Sequence, residues 1–184
     1  MDIRITTKQI SVILYVISWI IFIGICIEAC AFIFSTFSVF IFDPATAQKF
    51  WRPVDLSNVF EYDKGFFTVM NIYIIIVTVL KAILFYQIIK ILGKKKLDAS
   101  RPFNREVILF ISLISYITFG IGLFCAWGVN YSEWIIKKGM KVPNIQELGI
   151  GGADVWLFMG IVLFVIVHIF KRGMEIQSEN DLTI

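Results

Sequence analysis

The chain has 184 residues, 58% of them hydrophobic, a net charge of +3 and a mean hydropathy of +0.82, which excludes an ordinary water-soluble domain. Charged residues gather in the connectors between apolar runs, and no basic strip is interleaved with exposed aromatics, so direct nucleic-acid binding is excluded. The runs are continuous and far longer than the short alternating segments of a membrane β-barrel. The expected fold class is all-α: a polytopic membrane protein, one domain over residues 1–184, with four transmembrane helices and two longer outer loops. A bilayer core needs ~20 apolar helical residues. The helices are expected at about 10–42, 66–92, 105–129 and 152–172, with a cytoplasmic tail at 173–184.

The first run follows Arg4 and Lys8, as a secretory signal would, but its ~33 apolar residues far exceed a signal core of ~7–15. It is read as a retained membrane helix. Cys26 and Cys30 stand four apart, not in the C-x-x-C spacing of thiol–disulfide exchange, and Cys125 lies on another helix. All three are read as small apolar packing residues.

The first connector, 43–64, is near charge balance and rich in aromatics: Phe50, Trp51, Phe60 and Tyr62. The third, 130–154, carries Tyr131 and Trp134. Trp and Tyr favour the membrane interface, and the two connectors are expected to pack together as a cap, either a structural lid or a ligand or partner site. The second connector is short and basic, with Lys90, Lys94, Lys95, Lys96, Arg101 and Arg105. The positive-inside rule puts it, and hence both termini, in the cytoplasm. Pro102 breaks the second helix, and Asn104 is a candidate N-cap for the third with Glu106 in its first turn. Gly149, Gly151 and Gly152 give the third connector a flexible end, and Asp154 stands at the start of the fourth helix.

Glu28 and Lys81 are the only charges deep within the apolar runs. Ionisable groups there are costly and turn toward the bundle interior. Each lies about 22–24 Å below the outer boundary at ~1.5 Å per residue, so the two are expected to meet as an ion pair. The pair is either a specificity clamp between helices 1 and 2 or part of a proton or cation relay. Three stripes of small and polar residues accompany it: Gly24, Glu28, Ala31 and Ser35; Asn71, Thr78 and Lys81 or Ala82; Ser115, Thr118, Gly122 and Ala126. They are expected to share one interior seam. His168, the only histidine, sits one turn from Lys171 at the membrane boundary, leaving no paired haem ligands and no zinc cluster. No cofactor is expected, and no phosphate loop, nucleophile elbow or paired-carboxylate site occurs. The triplet Asn130-Tyr131-Ser132 is an acceptor sequon too common to carry weight.

The tail reads Lys171-Arg172-Gly173-Met174-Glu175-Ile176-Gln177-Ser178-Glu179-Asn180-Asp181-Leu182-Thr183-Ile184. Its end, Glu179, Asn180, Asp181, Leu182, Thr183 and Ile184, is a candidate partner-docking segment, because alternating Leu182 and Ile184 suit strand addition to another protein. A frayed terminus is the other reading. This K-R-G, E-x-Q, E-N-D-L-T-I ending resembles a family of small four-helix bacterial membrane proteins catalogued as domain of unknown function 2975. Similar segments are Asp55-Leu-Ser-Asn-Val-Phe60, Leu97-Asp-Ala-Ser-Arg-Pro-Phe-Asn104 and Gly151-Gly-Ala-Asp-Val-Trp-Leu-Phe158. The resemblance covers about residues 55–184 and implies four helices in a bacterial cell membrane with no established activity. It also implies, by gene association, a small helix-turn-helix regulator as a cytoplasmic partner.

These readings converge on a non-enzymatic regulatory or sensory component of the cell membrane that acts with a cytoplasmic partner. The alternative is a small oligomeric transporter or channel subunit with Glu28 and Lys81 along a path. Small-residue faces serve either the monomer's own packing or a homo-oligomer.

Overall fold

A computed structural model describes residues 7–41, 54–93 and 105–181. The elements are α1 (Thr7–Ile41), α2 (Ser57–Tyr62), α3 (Lys64–Gly93), α4 (Arg105–Lys137) and α5 (Ala153–Asp181). Four of them, α1, α3, α4 and α5, are long and apolar enough to cross a membrane. The fold is all-helical among the described residues, as expected for a chain whose backbone polar groups must be satisfied within each spanning segment.

The long helices run antiparallel in succession. Among the described residues α1 packs on α3, α3 on α4 and α4 on α5, while α1 and α5 do not pack on each other. Tyr15 against Gly93, Phe22 against Tyr86 and Phe40 against Phe67 set the register of α1 on α3. Leu80 against Gly120, Tyr73 against Gly128 and Phe66 against Trp134 set that of α3 on α4. At the α4–α5 seam the backbones approach closely. A Cβ on Gly122 would lie 2.7 Å from Leu157 Cγ and 2.8 Å from its backbone nitrogen, and one on Gly160 would lie 3.0 Å from Phe119 N. Ser115 Oγ donates to Gly160 O across this seam at 2.8 Å.

The expected single seam of small and polar residues is therefore divided. Ser115 and Gly122 serve α4–α5, while a Cβ on Gly24 would meet nothing within 4 Å. Asn71, Thr78 and Thr118 donate to carbonyls one turn back in their own helices, which satisfies a donor without joining helices.

One unforeseen helix and two helix ends differ from the sequence expectation. The first connector contains α2, unforeseen because it is only six residues long. Asp55 Oδ1 accepts from Ser57 N and Ser57 Oγ at its start, and Asp63 Oδ1 accepts from Gly65 N and Phe66 N where α3 begins. Val54, Leu56, Val59 and Phe60 around it are buried. The third spanning helix continues to Lys137 rather than stopping near 129, because Ser132 and Ile135 are buried and Trp134 packs on Phe66. The fourth continues to Asp181 rather than ending near 172, carried by an Arg172–Glu175 pair at 2.9 Å and half-buried Met174 and Gln177. Pro102 and Asn104, and the aromatics Phe50 and Trp51, lie outside the described residues.

The close approach at Gly122 generates a contrast within the spanning helices. Gly122→Ala is expected to destabilise the protein by ~1–3 kcal/mol through overpacking, while Gly24→Ala, in open space, leaves the melting temperature in detergent unchanged or slightly higher. Thermal unfolding of the two variants side by side checks this.

Candidate functional site

Ala153, the first residue of α5, starts level with Ala126 in the α4–α5 register. Helix α4 therefore rises about 16 Å past the start of α5, at ~1.5 Å per residue. Residues 138–152 must descend by that distance along the bundle, with Lys138, Lys141, Asn144, Gln146 and Glu147 exposed and a few apolar residues turned inward. Met140, Leu148 and Ile150 are buried and belong to one hydrophobic core with Val54, Leu56, Val59 and Phe60 from around α2 and with Phe67, Ile74, Cys125 and Ile135. The described part of the first connector and the third connector thus belong to one core. The third connector goes further: it re-enters the bundle. Three glycines take left-handed backbone in it, Gly139 (φ 90°) where it leaves α4 and Gly149 (φ 71°) and Gly152 (φ 75°) at its deep end.

Non-helical backbone among spanning helices needs donors for its carbonyls. Lys81, midway along α3, supplies one: its Nζ donates to Gly149 O at 2.7 Å. The same ammonium stands 5.8 Å from the centre of the Trp156 ring on the first turn of α5. Glu28 comes to the same place from α1, where its Oε1 lies 3.8 Å from the position of a Cβ on Gly149. The α1–α3 register puts Glu28 level with Leu80, next to Lys81. The two charges singled out in the sequence are therefore brought to one residue, Gly149, and both are half-buried. Sequence reasoning missed Gly149 and Trp156. The glycine cluster at 149–152 was the available signal, and it reads as flexibility unless the depth of the chain there is known.

Two buried atoms in this region have no hydrogen-bond partner, Asn71 Oδ1 and Ser132 Oγ. Outside the core, Tyr73, Trp127, Asn130, Tyr131 and Trp134 line a shallow open groove of about 340 Å³, and Lys138 Nζ lies 3.9 Å from the Trp134 ring centre. Asn130-Tyr131-Ser132 is helical, with Ser132 buried. His168 is exposed and edges onto Phe164. Among the described residues no three His, Cys, Asp or Glu side chains come together as metal ligands. Of the docking candidates, Glu179 is exposed in the last turns of α5, Asn180 and Asp181 continue the helix, and Leu182, Thr183 and Ile184 lie outside the described residues.

Lys81→Met keeps the apolar stem and removes the donor. It is expected to cost ~1–3 kcal/mol by leaving the Gly149 carbonyl unsatisfied, and to speed proteolytic cutting within residues 138–152 relative to the other connectors. Gly149→Ala, which forces a side chain onto φ 71° and toward Glu28, should match both effects. Limited proteolysis with mass mapping reads the two variants together.

No curated protein and no solved structure matches the chain. A family model does, across residues 7–184 and so through all five helices and the tail. A chain with this ending, four spanning helices and that match belongs to the family described as protein of unknown function (DUF2975).

Proposed function

We propose that this protein is a non-enzymatic regulatory or sensory component of the bacterial cell membrane that acts through a cytoplasmic protein partner. The observation that carries this reading is the continuity of α5. One unbroken helix begins four residues after Gly149, beside the Lys81 contact, and ends in exposed polar turns at the opposite end of the bundle. A shift of the re-entrant segment moves the start of a rigid rod, and the rod delivers that shift to its far turns. Glu28, Lys81 and Gly149 form the input and Glu175–Asp181 the output face, continued by Leu182, Thr183 and Ile184. Glu28 and Lys81 act on each other as well as on Gly149.

Charge supports the direction of transmission. Lys90, Arg105, Lys171 and Arg172 stand at the end opposite the loops, and the sequence between α3 and α4 adds Lys94, Lys95, Lys96 and Arg101. Such an excess favours the cytoplasmic side for that end and both termini. The candidate partner is a soluble cytoplasmic regulator of the helix-turn-helix class, as the family resemblance implies. The paired intramembrane charges favour a second reading, an oligomeric transporter or channel subunit.

A photoreactive residue placed at exposed Ile176 in living cells separates the two. Capture of one specific soluble DNA-binding protein, lost on deleting residues 179–184, is the expected result. Self-crosslinks alone, together with ion flux in liposomes that Glu28→Ala abolishes in folded protein, establish the transporter reading instead. For the input, a double-mutant cycle between Glu28→Gln and Lys81→Met should show a coupling above ~1 kcal/mol. Additive effects would mean two separate contacts with Gly149.

A further inference from the structure

The re-entrant segment is bordered by polar atoms that the protein itself does not satisfy. Asn71 is wholly buried, and its Nδ2 donates to Phe67 O while its Oδ1 has no partner. Ser132 is 1% exposed, and its Oγ makes no bond even to its own helix. The contacts of Tyr73 with Tyr131 and of Phe66 with Trp134 put the two residues at about the same level of α3 and α4. The re-entrant chain passes close by. Ile150, fully buried, brings its Cδ1 to 3.2 Å from where a Cβ on Gly128 would stand, one turn from Ser132. From that level the Lys81 site is about 15 Å further in along α3, ten residues on from Asn71 at ~1.5 Å each.

Two orphaned buried polar groups at one level are costly when dry, and ordered water is the usual way such groups are satisfied. Non-helical backbone among spanning helices likewise occurs where it is buried in protein or lines a wet cavity, and intramembrane charges face such cavities. We propose that Asn71 and Ser132 hold internal water alongside residues 148–150, at the loop end of the bundle. The hydrated site stands independently of the sensory reading.

Radiolytic footprinting tests it on the full-length protein in lipid nanodiscs, since hydroxyl radicals born from ordered water mark the side chains beside them. Met70, wholly buried and adjacent to Asn71, and Met159, 44% exposed on the lipid-facing surface of α5, share one intrinsic reactivity. Hydration predicts that Met70 is oxidised several-fold faster than Met159. Met70 oxidised no faster than Met159 overturns the proposal. Ser132→Ala gives an independent reading: a lowered melting temperature is expected if the hydroxyl holds water, whereas an unchanged or raised one shows a dry, strained group and overturns it. Neither measurement involves a cytoplasmic partner, so failure to capture one from Ile176 leaves this result untouched.

Discussion

A peptide carbonyl that leaves helical geometry among spanning helices has no water to fall back on and must find a donor fixed to the protein. In this molecule the carbonyl is Gly149 O and the donor is Lys81, brought from the middle of α3. Much of the upper bundle follows from that bond. It anchors the deep end of residues 138–152 to α3, it fixes where α5 begins, and it places the start of α5 lower than the top of α4. It also explains a lysine in a segment otherwise made of Ile, Val, Leu and Phe. The flexible stem brings a charged group to one oxygen while its methylenes stay among apolar neighbours.

Around this point the helices are held by two different means. The α4–α5 seam depends on missing side chains: Gly122 admits Leu157 and Gly160 admits Phe119, with Ser115 bonded across. This is the close backbone approach that lipid favours, since apolar burial alone gives no preference for protein over acyl chains. The α1–α3 contact relies instead on aromatic rings, Phe22 on Tyr86 and Phe40 on Phe60 and Phe67. Helix α2 joins that cluster from the loop end and braces the tops of α1 and α3 together.

The sequence discloses the spanning helices because ~20 apolar residues in succession have few other uses. It discloses Glu28 and Lys81 for the same reason, since a charge in such a run stands out by its cost. Where each helix stops is less legible. Asn130, Glu133 and Lys137 look like a solvated connector, yet Ser132 and Ile135 between them are buried and keep α4 going. The tail misleads in the same way. Its polar composition suits a frayed end, while Arg172, Glu175 and Ser178 form bonds within α5 that continue the helix to Asp181. The re-entrant path was invisible for a deeper reason. Gly149 and Gly152 announce unusual backbone, but only the register between α4 and α5 shows that this backbone lies low in the bundle.

That register argument extends to α1, whose contacts would otherwise leave it free to slide. Apolar side chains surround it on every side, and Gly24 offers no notch for a neighbour. Rings such as Phe22 and Phe40 tolerate small shifts. Glu28 does not, because one helical turn moves its carboxylate about 5.4 Å and takes it away from Gly149 and the level of Lys81. A single polar residue can thus fix the alignment of a helix that apolar packing leaves degenerate, as a buried asparagine does in a coiled coil. Glu28 of α1 approaches the same glycine that Lys81 bonds from α3, and α5 starts four residues after it. The site accordingly links the first, second and fourth spanning helices, even though α1 and α5 do not pack together among the described residues. A change there has to be felt by all three.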